Sequence, residues 1–342
     1  MMLNRLRISM GITIQTIADK AGVSKATVSY VLNDRAGEQR IPEKTRARIL
    51  NAAKKLNYRK NVYAKCLASG KTMTLGLVVP DIGHLFIVEI IKTIQRVASE
   101  NGYHIIIGDA NDSVVREKEY FNDFMERRVD GLIIMPSPVW KNSDLVDEMN
   151  QINIPFILLG REMGAEYNSI VSDRVQGAFL ATEHLIRRGS RKIAHVISNP
   201  LFLPTQEKLK GYRKALEKYD IEFDENMIIE TESSCEGGLE AGHKLLKIRP
   251  RPTAVFASND EVAMGVLKSL DKSGIRVPED ISVVGYDNLN ISIFANVSLT
   301  TVDQSQREMG QKAVELLLER IKDRKLKPEQ IVLMPKLIVR ES

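Results

Sequence analysis

Two sets of side chains in this sequence could do chemistry. The first is local: Ser24, Lys25, Ala26, Thr27, Ser29 and Tyr30 fall within the single segment SKATVSY. On the outer edge of a short helix, the early outward residues Lys25, Ala26, Ser29 and Tyr30 would face base edges, with Ser24 and Thr27 close to phosphates. The second set is dispersed: Asp81, Ser137, Asp173, Asn259, Asp260 and Asp287 each follow a short apolar run. Carboxylates and amides at such positions can hydrogen-bond the hydroxyls of a sugar. Simpler duties are open to the same residues, since Asp173 and Asp260 could cap the helices that follow and Asp287 could brace a loop.

Groups for catalysis do not assemble. His84, His104, His184, His195 and His243 form no HExxH, no i,i+4 pair and no pairing with a cysteine, and read as surface or core residues. Gly70-Lys71-Thr72 imitates the end of a phosphate-binding loop, but Lys65 stands where the first glycine is needed. Neither GxSxG nor GxGxxG occurs. Cys66 and Cys235 support neither a disulfide framework nor a zinc site. No enzyme, metal or cofactor is expected.

The elements that position the first set are helices. Ile14, Ile17, Ala18 and Ala21 repeat at helical spacing, and Val28, Val31 and Leu32 form a second stripe beyond Gly22 and Val23. Thr13 and Ser24 stand where a hydroxyl caps exposed N–H groups, and Gly22 suits a sharp turn. Helix, three-residue turn, helix predicts a helix-turn-helix, with the second helix in the major groove. A third helix is predicted from Pro42 through Ile49, Ala53 and Leu56. Charge agrees: residues 1–72 hold 15 Lys+Arg against 4 Asp+Glu, and the remainder 34 against 40. A basic head on a mildly acidic body is the footprint of phosphate neutralisation. The next segment, Asn61 to Leu67 (NVYAKCL), is too short to be a stable helix alone in water.

With TIADKAGVSKATVSYVLN and NVYAKCL in view, the chain resembles transcription regulators of the lactose-repressor (LacI/GalR) family. The resemblance implies that Thr13 joins the DNA-contacting set, and that Asn61, Ala64, Lys65 and Leu67 belong to a hinge helix. Leu67 would be wedged into the minor groove from each of two subunits, repaying the cost of unstacking with bent DNA. Lys65 and Cys66 replace the arginine and serine usual in the family, and Tyr30 replaces a frequent arginine, which removes a planar fork for guanine. The connection from Asn33 to Thr45 is about three residues longer than usual. Met10 lies where family members commonly begin, and the first nine residues lack the apolar core of a signal peptide.

Beyond the linker Ala68-Ser69-Gly70-Lys71-Thr72, apolar strands alternate with amphipathic helices. TLGLVVP, HIIIGDA, DGLIIMPS and IPFILLG form one series, with a helix near Val146. KIAHVI, TAVFAS and ISVVGYD form a second, among helices around 178–188, 208–218, 237–247 and 262–273. Such alternation predicts two parallel sheets covered on both faces, with a ligand cleft at the strand ends. The resemblance supplies the architecture: an N-terminal all-α helix-turn-helix head with a hinge helix, then an α/β two-lobed periplasmic-binding-protein-like (type I) effector domain. It divides the chain into a head at 1–60, a hinge and linker at 61–72, and an effector and dimerisation domain at 73–342. The N-lobe is expected at about 73–160 and 303–325, and the C-lobe at about 161–302 and 326–342.

By the same comparison, Phe86, Ser137, Asp173, Lys208, Asn259 and Asp287 contact effector. Lys208 replaces a frequent arginine, and Phe86 with Ile87 replaces an aromatic pair, leaving less ring surface for a sugar face. The expected function is a ligand-responsive repressor of carbohydrate-utilisation genes, bound as a homodimer to a palindromic operator. A catabolite-control-type regulator answering to a phosphorylated carrier protein is the alternative, suggested by Lys208. A free-standing sugar-binding protein would have no basic head. The expected partners are therefore double-stranded operator DNA, a sugar or sugar derivative, and a second copy of the chain. No run reaches the ~18 apolar residues of a membrane span, so a cytoplasmic location is expected. No heptad tail follows IVLMPKLIVRES, which predicts a dimer rather than a tetramer.

Overall fold

The computed structural model describes residues 12–32, 41–58, 70–137 and 154–342. The chain divides into two compact units, 1–70 and 71–342. In the first, α1 (Ile14–Ala21), α2 (Lys25–Leu32) and α3 (Glu43–Lys55) enclose one small core. Ile17, Ala18, Ala21, Val28, Val31, Ile49, Ala52 and Ala53 are its buried members. A reciprocal cap starts α1: Thr16 N–H donates to Thr13 Oγ1 at 3.3 Å, and Thr13 N–H to Thr16 Oγ1 at 3.4 Å. Gly22 ends it in the left-handed region, φ +61°. Ser24 caps α2 through Thr27 N–H at 3.1 Å. Pro42 is the residue before α3 rather than part of its first turn.

Among its described residues the second unit holds three sheets. Six parallel strands run in the order β11-β5-β4-β3-β1-β2: β1 Thr74–Val79, β2 His104–Asp109, β3 Gly131–Ile134, β4 Phe156–Leu159, β5 Ser169–Ser172 and β11 Gln330–Leu333. Four more, in the order β7-β6-β8-β9, are β6 Ile193–Ile197, β7 Ile228–Glu230, β8 Ala254–Ala257 and β9 Ser282–Val284, again parallel. β10 (Thr301–Asp303) and β12 (Lys336–Ile338) pair antiparallel.

Both faces of each large sheet are covered, which is why these strands read as nearly continuous apolar runs. Leu75, Leu77 and Val79 pack under Ile90 and Ile94 and under Val314 and Leu317, from helices Leu85–Glu100 and Gln306–Lys322. Val78, Leu132 and Ile134 meet Phe121 and Phe124 on the other face. In the second lobe, Ala241, Val262 and Val266 cover one face, and Ala178, Tyr212 and Ala215 the other. Gly238 and Gly265 let helices Cys235–Leu245 and Asp260–Lys272 touch, since a Cβ at either would collide with the other's backbone.

The lobes are discontinuous, because helix Gln306–Lys322 packs on the first sheet. The crossings differ from expectation. β5 and β11 belong to the first sheet, so the chain leaves it after Ser172 and Leu333, later than the positions near Gly160 and Lys325. Strands of three or four residues such as β5, β10 and β11 carry too little alternation to be read from sequence. The helix expected near Val146 lies outside the described residues.

Candidate functional site

The first unit offers an exposed polar edge. Val28 and Val31 anchor α2 in the core, which turns Ser24, Lys25 and Ala26 to solvent and leaves Thr27, Ser29 and Tyr30 partly exposed. Lys20, Lys44, Arg48, Lys54 and Lys55 are also exposed. The hydroxyls of Thr13 and Ser24 are engaged at caps, Ser24 Oγ lying 2.8 Å from Thr27 Oγ1. Asn61, Ala64, Lys65 and Leu67 lie outside the described residues.

The second unit holds a cavity of about 1040 Å³ at the carboxyl ends of strands from both large sheets. Five of the six residues expected to contact effector line it, Phe86, Ser137, Lys208, Asn259 and Asp287, as does the strand-end residue Asp81. Asp287, at 7% exposure, is the most heavily engaged of these. Its Oδ1 accepts from Gln304 Nε2 at 2.5 Å, and its carbonyl accepts from Gln306 Nε2. Burial pushes its pKa up to about 6, opposed by the Lys208 charge. Lys208 Nζ donates to the Ser258 carbonyl at 2.6 Å and sits 4.1 Å over the Tyr286 ring. Burial lowers its pKa to about 8, opposed chiefly by Asp287. The two groups thus hold each other charged in a poorly solvated pocket.

Ser137 is fully buried, and its N–H donates to Glu117 Oε1 at 2.6 Å. Glu117 is buried behind it, with a pKa raised to about 7 chiefly by desolvation. Asn259 caps helix Asp260–Lys272, its Oδ1 accepting from Val262 N–H at 2.7 Å, so its amide N–H groups are what it can offer a ligand.

Asp173 is not among the described lining residues. It caps helix Arg174–Arg187 through Gln176 N–H at 2.8 Å, and its neighbour Arg174 lines the cavity instead. A helix N-terminus draws the short carboxylate onto its own N–H groups, which leaves the longer side chain to reach the ligand space. Asp260 is likewise structural. Fully buried, it accepts from Leu289 N–H at 2.7 Å and Thr301 Oγ1 at 2.5 Å, with a pKa raised by burial to about 7.

Asp81 lines the cavity beside His84 and Asp112, and these three bring donor atoms within 4.8 Å of one another. This is the group that could hold an ion among the described residues, but Asp112 is exposed and Asp81 Oδ1 already accepts from Gly83 N–H at 2.7 Å. His195 is a core residue, stacked 4.4 Å from Phe256, with burial driving its pKa down to about 3. No described helix is long and apolar enough to cross a membrane.

Sequence reasoning missed Arg161, Arg174, Phe202 and Gln304, which also line the cavity. Arg161 was within reach, because it follows the apolar run FILLG as the expected residues follow theirs. Gln304 follows a three-residue strand that leaves no pattern.

Residues 13–61 match the family model for bacterial regulatory proteins of the lacI family, and residues 182–342 match that for a periplasmic binding protein-like domain. The chain is 34% identical over 337 residues to the HTH-type transcriptional repressor PurR of Vibrio atlanticus (strain LGP32), covering 96% of this chain and 98% of that protein. The solved lac repressor dimer bound to operator and the anti-inducer ONPF is similar at TM-score 0.86 and 28% identity, over 96% of this chain and 98% of that one. The CelR–cellobiose complex is similar at TM-score 0.73 and 29% identity, over 96% and 99%.

Proposed function

The chain belongs to the lacI family of bacterial regulatory proteins, and from that premise we propose a repressor that a sugar or sugar derivative switches through the cleft. It is a DNA-binding transcriptional repressor and not an enzyme. In our reading it binds a palindromic operator as a homodimer, with Lys25, Ala26, Ser29 and Tyr30 at base edges and Thr13, Ser24 and Thr27 near phosphates. Residues 61–72 serve as hinge and linker, with Leu67 as the minor-groove wedge supported by Asn61, Ala64 and Lys65.

The observation that carries the effector reading is the cavity at the strand ends, with Asp287, Gln304, Lys208 and Asn259 placed around its interior. Acceptors and donors side by side suit hydroxyls, and Phe86 and Phe202 supply rings for a sugar face. The similarity to a regulator solved with cellobiose points the same way. Ligand closing the lobes would order or release the hinge and so change operator affinity.

A homodimer is supported by exposed apolar surface on the second unit. β2, rich in isoleucine, is the edge of its sheet among the described residues, with Ile107 exposed, and Ile291, Ile293 and Phe294 are exposed as well, Phe294 at 83%. Lys208, which prompted the carrier-protein alternative, is turned inward to Ser258 and Tyr286, which weakens that alternative.

Operator fragments selected from random duplexes, followed by bending measured as end-to-end energy transfer, test the reading. Leu67→Ala should reduce bending and weaken operator binding while sugar binding persists; unchanged bending removes the wedge. Titration with neutral and charged sugars should shift operator affinity, and a response to purine bases alone would replace the sugar.

A further inference from the structure

One side chain joins the two lobes beside the cavity. Arg174 opens helix Arg174–Arg187, which packs in the second lobe through Ala178, Ala181 and Leu185. Its Nη2 donates at 2.7 Å to the carbonyl of Gly160, the residue that follows β4 of the first sheet. Its Nη1 donates at 2.8 Å to Glu207 Oε2 on helix Leu203–Lys218, which packs in the second lobe through Tyr212 and Ala215. The Arg174 side chain is 10% exposed, so both contacts are made largely out of bulk water.

The place of the contact gives it leverage. The chain leaves the first sheet after Ser172, the end of β5, and β5 pairs with β4. Arg174 thus stands two residues beyond a crossing between lobes and reaches back to the end of the neighbouring strand. Close to such a pivot, a small displacement corresponds to a large one at the far edges of the lobes, so a contact of fixed length there sets the angle between them. The planar guanidinium sharpens that constraint. Its N–H groups diverge at fixed angles, and a carboxylate and a carbonyl are both satisfied over a narrow range of lobe positions. Rotation at this crossing would break a charge-assisted hydrogen bond at a mostly buried guanidinium.

We infer that Arg174 is a positioning residue that braces the two lobes, fixing their angle through the Gly160 carbonyl while Glu207 anchors it to the second lobe. It acts on the lobes and needs no contact with effector. The step from lobe angle to operator affinity rests on the proposed switching of the repressor through its cleft. The competing duty is a salt bridge internal to the second lobe, in which Glu207 is the partner that matters.

Energy transfer within single full-length chains, without effector, separates the two duties. Dyes are placed on Glu126→Cys in the first lobe and Lys214→Cys in the second, both exposed positions, in a background of Cys66→Ser and Cys235→Ser. Labelled chain is diluted into excess unlabelled chain, so that a homodimer holds one dye pair. Arg174→Met should raise the ratio of separated to joined lobes roughly tenfold, as for loss of one charge-assisted contact. Glu207→Gln keeps an acceptor for the guanidinium and should move the ratio far less, while lowering the melting temperature. Arg174→Lys keeps the charge that acts on Lys208 and Asp287 but not the fork, and should fall between wild type and Arg174→Met. If Arg174→Met does not fold, Arg174→Lys against Glu207→Gln carries the same comparison. An unchanged ratio in the Arg174 variants, or a shift in Glu207→Gln as large as theirs, overturns the brace. Operator fragments complete the test. A shifted ratio followed by operator affinity supports the brace and the cleft switch together, whereas a shifted ratio with unchanged operator affinity keeps the brace and refutes the coupling of lobes to operator.

Discussion

The head and the effector cavity present polar groups in opposite ways. In the head they stand outside a core of eight small and medium side chains, open to water at Ser24, Lys25 and Ala26. In the cavity they stand inside, where each charge needs a protein partner or a ligand: Asp287 has Gln304, Gln306 and Lys208, and Arg174 has Glu207. Water satisfies an exposed group whatever its identity, so reading residues can change one at a time. A buried charge is fixed by its neighbours, and a change there disturbs several groups at once.

If that contrast holds, the largest single effect comes from the small core beneath the exposed face. Ile17 is fully buried there. Ile17→Ala should cost about 2–5 kcal/mol, comparable to the whole stability of so small a unit. Operator binding should vanish while the thermal transition of the effector domain stays in place. Equal destabilisation of both units, read by calorimetry, would break the division between them.

The second effect lies in the cavity. Asp287 has φ +110°, so Asp287→Asn is the mild substitution, since asparagine tolerates positive φ better than most residues. It removes the negative charge facing Lys208 and should weaken effector binding roughly 10–100-fold, with operator binding in the absence of effector retained. Normal effector titration would remove Asp287 from the site and, with it, the claim that buried charges govern recognition.

The same contrast explains what could be read from the sequence. The head was legible because its signals are local: Thr13, Gly22 and Ser24 mark caps and a turn, and the stripe from Ile14 to Ala21 marks a buried face. The strand-helix alternation of the body was legible for strands of sufficient length, such as TLGLVV. The cavity was legible where a polar residue closes such a strand, as at Ser137, Asn259 and Asp287. Asp173 obeys the same rule yet caps its own helix, because the local N–H groups are nearer than any ligand. Gln304 and Arg174 were hidden, one behind a strand of three residues and the other behind Asp173. Their roles arise from long-range packing that leaves no mark on neighbouring sequence.

A smaller effect uses pH to separate the two regions. Glu117, behind Ser137, has its pKa raised to about 7 by burial, well above the ordinary glutamate value of 4.5. A carboxyl raised on folding contributes stability fully below its unfolded pKa and loses that contribution as pH rises through the folded value. The effector domain should therefore be more stable at pH 5 than at pH 8, by on the order of 1–3 kcal/mol from this residue. Glu117→Gln keeps an acceptor for Ser137 N–H and cannot ionise, so the gap between the two melting temperatures should narrow. An unchanged gap would mean that Glu117 stays charged and hydrated.

The smallest effect returns to the head and isolates backbone from packing. Gly22 closes α1 at φ +61°, and the place where a Cβ would project has no atom within 4 Å. Gly22→Ala therefore meets no steric neighbour, and its cost is the left-handed backbone alone, about 1 kcal/mol. Operator binding should weaken only by the fraction of heads unfolded, and Gly22→Asn should recover part of the loss because asparagine adopts this conformation more readily. Loss of binding as severe as in Ile17→Ala, with the head still folded by circular dichroism, would show that Gly22 sets the angle at which α2 is presented. The exposed face would then depend on its turn as closely as the cavity depends on its buried charges.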